Sequence, residues 1–205
     1  MRKLHGSIGW VAAGLLLAAP AFAGSDAEFV EKAASGGMME VKLGEYASKN
    51  AASEDVRSFG QRMVTDHSKA NAELKELAAK HDITVPTEMS DEHQAMSEKL
   101  MGMKGAEFDR AYMDAMVDDH TADVEAFRAE AKEGATEIDR WAAKTVPTLE
   151  MHLEMARDVH KQVAGTATGG TTGETAAEGE KPGGVKGAVE SLEREVKDVL
   201  DTDEP

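Results

Sequence analysis

Cysteine is absent from this chain, and aromatic residues make up only 4% of its 205 residues. Without cysteine the fold cannot rest on disulfides, and no cysteine is present to carry a lipid anchor. Scarce aromatics and 12 methionines disfavour a β-sandwich and favour helices packed on helices. Stability must therefore come from a packed helical core or from a bound ion.

Basic residues are also scarce, with 23 Lys and Arg against 39 Asp and Glu, for a formal net charge of −16. The first 23 residues hold two of the basic residues and none of the acidic ones, so the remainder carries 21 − 39 = −18. A charge of this sign argues against binding to nucleic acid or to anionic membrane surfaces. It suits a protein that attracts cations.

Long apolar runs are missing apart from one, residues 8–19, which is shorter than the ~20 residues of a membrane span. Two basic residues precede this run, at positions 2 and 3, and the sequence Pro-Ala-Phe-Ala follows it and ends at Ala23. This order is typical of a secretory signal cleaved after Ala23. We therefore predict a signal peptide over residues 1–23, export to the periplasm or cell envelope, and no membrane span after cleavage. An uncleaved N-terminal anchor is the alternative.

Apolar residues recur at steps of three and four over residues 24–163, which predicts an all-α fold with four long helices in a bundle. Ser25, Ser53 and Thr136 are predicted N-caps of the first, second and fourth long helices. A short extra helix is predicted from Ser90 to Met101, in the connection between the second and third. That connection is long enough to cross the bundle and make these two helices parallel. An up-down-up-down arrangement is the alternative.

The C-terminal region changes in composition. Residues 164–184 are rich in Gly and Thr, which predicts a flexible linker. Residues 185–205 form an acidic segment with valines and a leucine at heptad steps, which predicts a short amphipathic helix. Such a helix needs a surface to cover, so 185–200 is a candidate for binding a protein partner or for self-association.

Each long helix carries one metal-capable side chain at an apolar seam position: Glu40, His67, His120 and His152. The two central histidines end related sequences, Met-Val-Thr-Asp-His and Met-Val-Asp-Asp-His. Counting from the turns, all four residues fall at similar depth, which predicts one internal site. A buried carboxylate and three buried imidazoles are expensive without partners, and one metal ion would satisfy all four. Hydrogen-bonded core histidines are the alternative.

The residues beside two of these histidines, Asp66 and Asp119, are predicted to orient or neutralise the imidazoles from outside the ligand set.

Imidazole ligands suit zinc, iron or copper. Di-iron bundles use Glu-x-x-His, whereas Val64, Val117 and Leu149 stand three residues before the histidines here. Di-iron oxygen chemistry is therefore not predicted. Residues 101–103, Met-Gly-Met, have a spacing that suits cuprous ion, but we interpret the methionines of the connection as packing residues.

The pattern resembles a family of exported ferritin-like proteins, domain of unknown function 4142, often labelled predicted outer membrane proteins. The resemblance covers about residues 26–159. It rests on the following residues: Phe29, Glu40, the sequence Met63 to His67, Phe108, Asp109, Tyr112, His120, Pro147, Leu149, His152 and Leu153. The resemblance implies a ferritin-like four-helix bundle in the periplasm or cell envelope, without an assigned activity.

The favoured function is that of an exported bundle that binds a metal ion for storage, buffering or protection against stress. Two alternatives belong to other classes. One is an interaction protein that docks through its acidic C-terminal helix, with histidines that only tune stability. The other is a metal-dependent oxidoreductase, although a non-enzymatic role is favoured.

Overall fold

The structure, a computed structural model, describes residues 22–165, with side chains from Asp26 onward. The predicted signal peptide lies outside the described residues except for its last two positions, as do the C-terminal segment and nearly all of the linker. The described residues form five helices and no strand, which confirms the all-α prediction. They are α1 (Phe22–Asn50), α2 (Glu54–Lys80), α3 (Asp91–Met101), α4 (Gly105–Ala131) and α5 (Glu137–Gly165).

Ser90, where the short helix was predicted to begin, and Thr136, a predicted cap, both form hydrogen bonds at their helix starts. Ser90 precedes α3, and its hydroxyl accepts a hydrogen bond from the backbone N–H of His93. Thr136 precedes α5 and accepts from the N–H of Asp139 at 3.1 Å, while the Asp139 carboxylate accepts from the N–H of Thr136 at 2.8 Å. This reciprocal pair is a capping box. Both helix starts were therefore predictable from local sequence.

The predicted cap at Ser25 is wrong, because α1 already begins at Phe22. Glu28, the expected carboxylate partner of that cap, is exposed and accepts from Lys32 Nζ at 2.6 Å. Asp26 is buried, and its surroundings are Thr136 and Asp139 at the start of α5. Tertiary contact with α5 thus replaces the local cap.

The long helices form two antiparallel hairpins, α1 with α2 and α4 with α5. Helices α1 and α2 approach closely at Gly44 and Gly60. A Cβ at Gly60 would lie 2.8 Å from the carbonyl oxygen of Gly44, and a Cβ at Gly44 would lie 2.7 Å from the carbonyl oxygen of Gly60. Only glycine lets the two backbones come this near.

The turn between α1 and α2 is fastened by the start of α4. Asp109 is buried, and its carboxylate accepts from the N–H groups of Ala52 at 3.0 Å and Ser53 at 2.7 Å. The Ser53 side chain itself makes no capping bond. At the other end of the molecule, Phe29 near the start of α1 packs on Phe127 near the end of α4.

These contacts set the directions of the helices. Since α4 starts where α1 ends, α1 and α4 are antiparallel, and α2 and α4 run the same way. The connection that contains α3 therefore crosses from one end of the bundle to the other, which is the crossover favoured from sequence. Two hydrogen bonds join α1 to this connection. Just before α3, the backbone N–H of Ser90 donates to the hydroxyl of Ser35 at 2.8 Å. After α3, the hydroxyl of Tyr46 donates to the carbonyl of Met103 at 3.1 Å.

The apolar core has two parts, and the seam residues with polar side chains lie between them. Toward the α1–α2 turn it contains Phe59, Met63 and Met116, all fully buried. Toward the other end it contains Phe127 and Ile138. Methionines 89, 96, 101 and 103 of the connection are half-buried against the first part, as expected for packing residues. Among the described helices, none has the length and apolar character needed to span a membrane.

Candidate metal centre

The structure brings together the four seam residues, one from each long helix. Glu40 of α1, His67 of α2, His120 of α4 and His152 of α5 are 1%, 6%, 0% and 0% exposed. The imidazole centroids lie 5.1 Å apart for His67 and His152, 5.4 Å for His120 and His152, and 5.6 Å for His67 and His120. One ring nitrogen from each histidine lies within 4.8 Å of those of the other two. This spacing is small enough for a single ion to bind all three.

Glu40 lies between two of the histidines. Its Oε2 is 2.7 Å from Nδ1 of His67, and its Oε1 is 3.2 Å from Nε2 of His120. Burial raises the pKa of Glu40 well above its ordinary value. The side chain therefore favours the protonated form unless a positive charge lies beside it.

His152 is held by Asp66. Its Nε2 is 2.7 Å from Oδ2 of Asp66, and its Nδ1 is 3.3 Å from Nε2 of His67. Although burial opposes it, hydrogen bonds from His152 and Arg62 lower the pKa of Asp66. Asp66 is then a carboxylate that only accepts hydrogen bonds, so Nε2 of His152 must carry the proton. The Asp66 carboxylate therefore fixes the orientation of the His152 imidazole, while its role beside a metal ligand stays a prediction.

The remaining protons follow from these contacts. Burial lowers the pKa values of His67 and His152 to about 4, so both rings are neutral near pH 7. Because Nδ1 of His152 has a lone pair, Nε2 of His67 must donate to it. Nδ1 of His67 is then an acceptor, which requires a protonated Glu40 to donate from Oε2. A chain of hydrogen bonds thus runs from Glu40 through both histidines to Asp66.

His120 is not part of this row of hydrogen bonds. Its Nδ1 donates to the carbonyl oxygen of Met116 at 3.0 Å. Burial holds the pKa of His120 well below its ordinary value, so Nε2 carries only a lone pair. That lone pair faces Oε1 of Glu40, and both atoms are buried without a hydrogen-bond partner. Two acceptors 3.2 Å apart are the arrangement that a cation between them would stabilise.

Two aspartates of α4 lie beside this pair. Asp119 offers a carboxylate oxygen that lies within 4.8 Å of the ligand atoms of Glu40 and His120. Its Oδ2 is also buried without a hydrogen-bond partner. Burial and the nearby Glu40 raise its pKa well above the ordinary value. Asp119 was predicted from sequence only as an orienting group, whereas the structure places it within reach of the same ion.

Asp123, one turn after Asp119, did not stand out in the sequence. Burial raises its pKa to about 6, and it lines a core cavity together with Glu40, His67 and His152. The cavity measures about 30 Å³, which is room for one water molecule or a small ion. The i, i+3 spacing from His120 to Asp123 was the available sequence signal, because residues at that spacing share a helix face.

A second acidic group, Asp26, Glu130 and Asp139, lies at the far end of the bundle. Asp139 already accepts hydrogen bonds from the N–H groups of Ala135 and Thr136 at 2.7 and 2.8 Å. Burial, with Asp26 and Asp139 close by, raises the pKa of Glu130 to about 7. We interpret this group as part of the start of α5 rather than as a binding site.

Two solved structures share the fold. The first is a DUF305 fragment from Deinococcus radiodurans, with 14% identity, a TM-score of 0.59, and coverage of 67% of this chain and 96% of that one. The second is a DUF305 protein from Streptomyces coelicolor, described as a candidate secreted protein, with 15% identity, a TM-score of 0.57, and coverage of 77% and 98%. At such identities the likeness concerns the helical fold alone.

No curated protein matches the chain in sequence. The profile of one family does match, over residues 13–159, and that range contains all four seam residues and both flanking aspartates. The chain therefore belongs to the family described as domain of unknown function DUF4142.

Proposed function

We propose that this protein is an exported ferritin-like four-helix bundle that holds one transition-metal ion among Glu40, His67, His120 and His152. Its role would be to store or buffer that metal, or to protect the cell envelope from metal stress. The observation that carries the proposal is the facing pair of buried acceptors, His120 Nε2 and Glu40 Oε1, which have no hydrogen-bond partner.

The chemistry of the four ligands limits which metal ions the centre would bind. Three imidazoles and one carboxylate suit zinc, iron or copper(II), whereas soft thioether ligands would favour copper(I). The buried methionines near the histidines, Met63 and Met116, belong to the apolar core. The four proposed ligands include only one carboxylate, Glu40. A carboxylate-bridged pair of ions needs several carboxylates, so the centre fits a single ion better.

Metal binding would rearrange the protons of the centre. An ion bound through the lone pair of Nε2 of His67 would displace the proton on that nitrogen to the solvent. Glu40 would then pass its own proton to Nδ1 of the same ring, across the 2.7 Å contact, and become the carboxylate that an ion prefers. The hydrogen bond between Glu40 and His67 is kept, with its donor and acceptor exchanged.

Export is the second half of the proposal. It rests on the basic, apolar and small-residue order of residues 1–23, which is typical of a secretory signal, and on the description of the Streptomyces neighbour as a candidate secreted protein. In the exported chain, residues 164–184 would act as a linker and 185–205 as a short acidic helix.

The test is elemental analysis of the full chain, secreted with its own N-terminus and purified without a histidine tag. We expect about one transition-metal ion per chain, as one set of four ligands holds one ion. His120→Ala should lose the ion, while His81→Ala, which removes an exposed histidine of the α2 C-cap, should retain it. Circular dichroism would establish that the variants fold. A folded wild-type protein that takes up no zinc, iron or copper overturns the proposal.

A further inference from the structure

A groove opens on the surface between α1, α4 and the segment that leads into α3. Its volume is about 620 Å³. Glu31, Glu88 and Glu92 lie along it with exposed side chains, and the basic residue among them, Lys32, is paired with Glu28 at 2.6 Å. The groove therefore presents an acidic surface to a cation in solution.

The groove and the metal centre share residues of α4. Asp119 and Asp123 both line the groove. Asp123 also lines the core cavity that contains Glu40, His67 and His152. Asp119 reaches the centre directly, because its ligand oxygen lies within 4.8 Å of those of Glu40 and His120.

The ligand atoms fall into two overlapping groups. One is His67, His120 and His152, and the other is Glu40, Asp119 and His120. His120 belongs to both, and its Nδ1 is occupied by the carbonyl of Met116, so only Nε2 is free to bind. A single lone pair binds one ion at a time, so the two groups cannot both hold an ion through His120 at the same moment.

We propose that cations enter the centre from this groove and are bound first by Asp119, Glu40 and His120, before they reach the three histidines. The inference rests on the proposed metal-binding function and adds an entry route and a first binding position. Asp119 Oδ2, Glu40 Oε1 and His120 Nε2 are all buried polar atoms without a hydrogen-bond partner in the structure, and a cation bound among them would stabilise all three.

The other approach to the cavity is less suitable. It lies toward α2 and α5, where Asn71, Trp141 and Thr148 line the cavity. The carboxylate that lines the cavity on this side, Asp66, is engaged by His152 and by Arg62, and the guanidinium would repel an incoming cation. Trp141 is fixed by its hydrogen bond to Glu73 at 3.3 Å.

The experiment follows the loading of the full-length metal-free protein with Co²⁺ by stopped-flow absorption. Ala122→Arg places a bulky cation in the groove, and Thr148→Arg places the same group on the α2–α5 side. Electrostatic steering changes association rates by about tenfold or more, so Ala122→Arg should slow loading at least about tenfold. Thr148→Arg should leave the rate within about twofold. Equal slowing, or greater slowing by Thr148→Arg, overturns the entry route.

A second pair of variants tests the first binding position without added bulk. Asp119→Asn should slow loading about tenfold, the same scale as above. Asp118→Asn, the exposed neighbour on α4, should load at the wild-type rate. Loading of Asp119→Asn at the wild-type rate overturns the role of Asp119. If the wild type binds neither Co²⁺ nor zinc, iron or copper at equilibrium, the proposed function fails too. If it binds normally while loading ignores Asp119 and Ala122, the entry route alone is wrong.

Discussion

Oδ2 of Asp66 lies 2.7 Å from Nε2 of His152, and this contact joins α2 of the first hairpin to α5 of the second. Because Asp66 only accepts, the bond fixes which nitrogen of His152 carries the proton. The other nitrogen, Nδ1, is left with a lone pair directed at His67. The orientation of one ligand in the proposed centre thus depends on a carboxylate outside the ligand set.

The first prediction concerns this carboxylate. Asp66→Asn should weaken metal binding about 10- to 100-fold, because the imidazole loses the charge that raises its basicity and the bond that fixes its orientation. Competition with a coloured chelator measures the change. Asp118→Asn is the matched control and should bind as the wild type does. Unchanged affinity in Asp66→Asn would mean that His152 is not a ligand.

The second prediction separates binding from packing at Glu40. A glutamine can donate its N–H to His67 Nδ1 as the protonated acid does, so Glu40→Gln should keep the metal-free stability within about 1 kcal/mol. It should abolish the stabilisation by metal, which is about 2.7 kcal/mol at an ion concentration 100 times Kd. Denaturant unfolding with and without metal measures both.

Glu45→Gln is the control for this variant, since Glu45 is exposed on the same helix. It should unfold as the wild type does under both conditions. A Glu40→Gln protein that metal still stabilises fully would exclude the carboxylate from the centre.

The third prediction is that metal binding releases at least one proton per ion near pH 7. The proton is the one on Nε2 of His67, which must leave before that nitrogen binds an ion. Affinity should therefore rise with pH. Titration calorimetry in two buffers with different heats of ionisation counts the protons. Equal heats in both buffers would contradict the assignment of protons to Glu40 and His67.

The fourth prediction tests the close approach of α1 and α2. In Gly60→Ala the new Cβ would lie 2.8 Å from the carbonyl oxygen of Gly44 and 2.9 Å from the Cβ of Ala47. The helices must separate, which should lower the free energy of unfolding by about 1 to 3 kcal/mol.

Gly36→Ala is the matched control, because the nearest atom that its Cβ meets is 3.9 Å away, on His93. Alanine is favoured over glycine inside a helix by about 1 kcal/mol, so this variant should be at least as stable as the wild type. Chemical denaturation of both proteins gives the comparison. Equal effects of the two substitutions would show that the Gly60 contact is not tight.

The fifth prediction concerns pH and Glu130. Burial, with acidic neighbours, raises its pKa in the folded state to about 7 from the ordinary 4.5. Between pH 4.5 and 7, Glu130 therefore keeps its proton in the folded protein but loses it in the unfolded chain. The free energy of unfolding should fall as the pH rises through this range. Glu130→Gln removes this pH-dependent loss of stability. The variant's gain in free energy of unfolding over the wild type should therefore be larger at pH 8 than at pH 4.

Thermal unfolding at several pH values measures the difference in stability, with Glu125→Gln as the control. Glu125 is exposed on the same helix and is not among the acidic groups that act on Glu130, so its substitution should shift stability equally at both pH values. A Glu130→Gln advantage that does not grow with pH would show that Glu130 is not protonated in the folded protein.

The helices and the four seam residues were predictable because both depend on local periodicity. A residue that continues an apolar seam must face the core, whatever its chemistry, so Glu40 and His120 could be placed before their contacts were known. The caps at Ser90 and Thr136 were predictable for the same reason, since their hydrogen bonds span three residues.

The features that escaped prediction join segments far apart in sequence. Asp123 shares a helix face with His120, but only the packing of α1 against α4 brings it to the cavity. The Gly44–Gly60 contact depends on the register of two helices. The start of α1 was misplaced at Ser25 because Asp26 is buried near the start of α5. Periodicity in a single sequence contains no information on such pairings.

The hydrogen bonds that Asp109 accepts from the turn between α1 and α2 have a consequence for the order of folding. The N–H group of Ala52 receives its partner from a residue 57 positions later in the chain. Until α4 has joined the fold, the N–H groups of Ala52 and Ser53 have only water as a hydrogen-bond partner. The first hairpin is therefore completed by the second, and the four long helices should form as one cooperative unit rather than as two hairpins in succession.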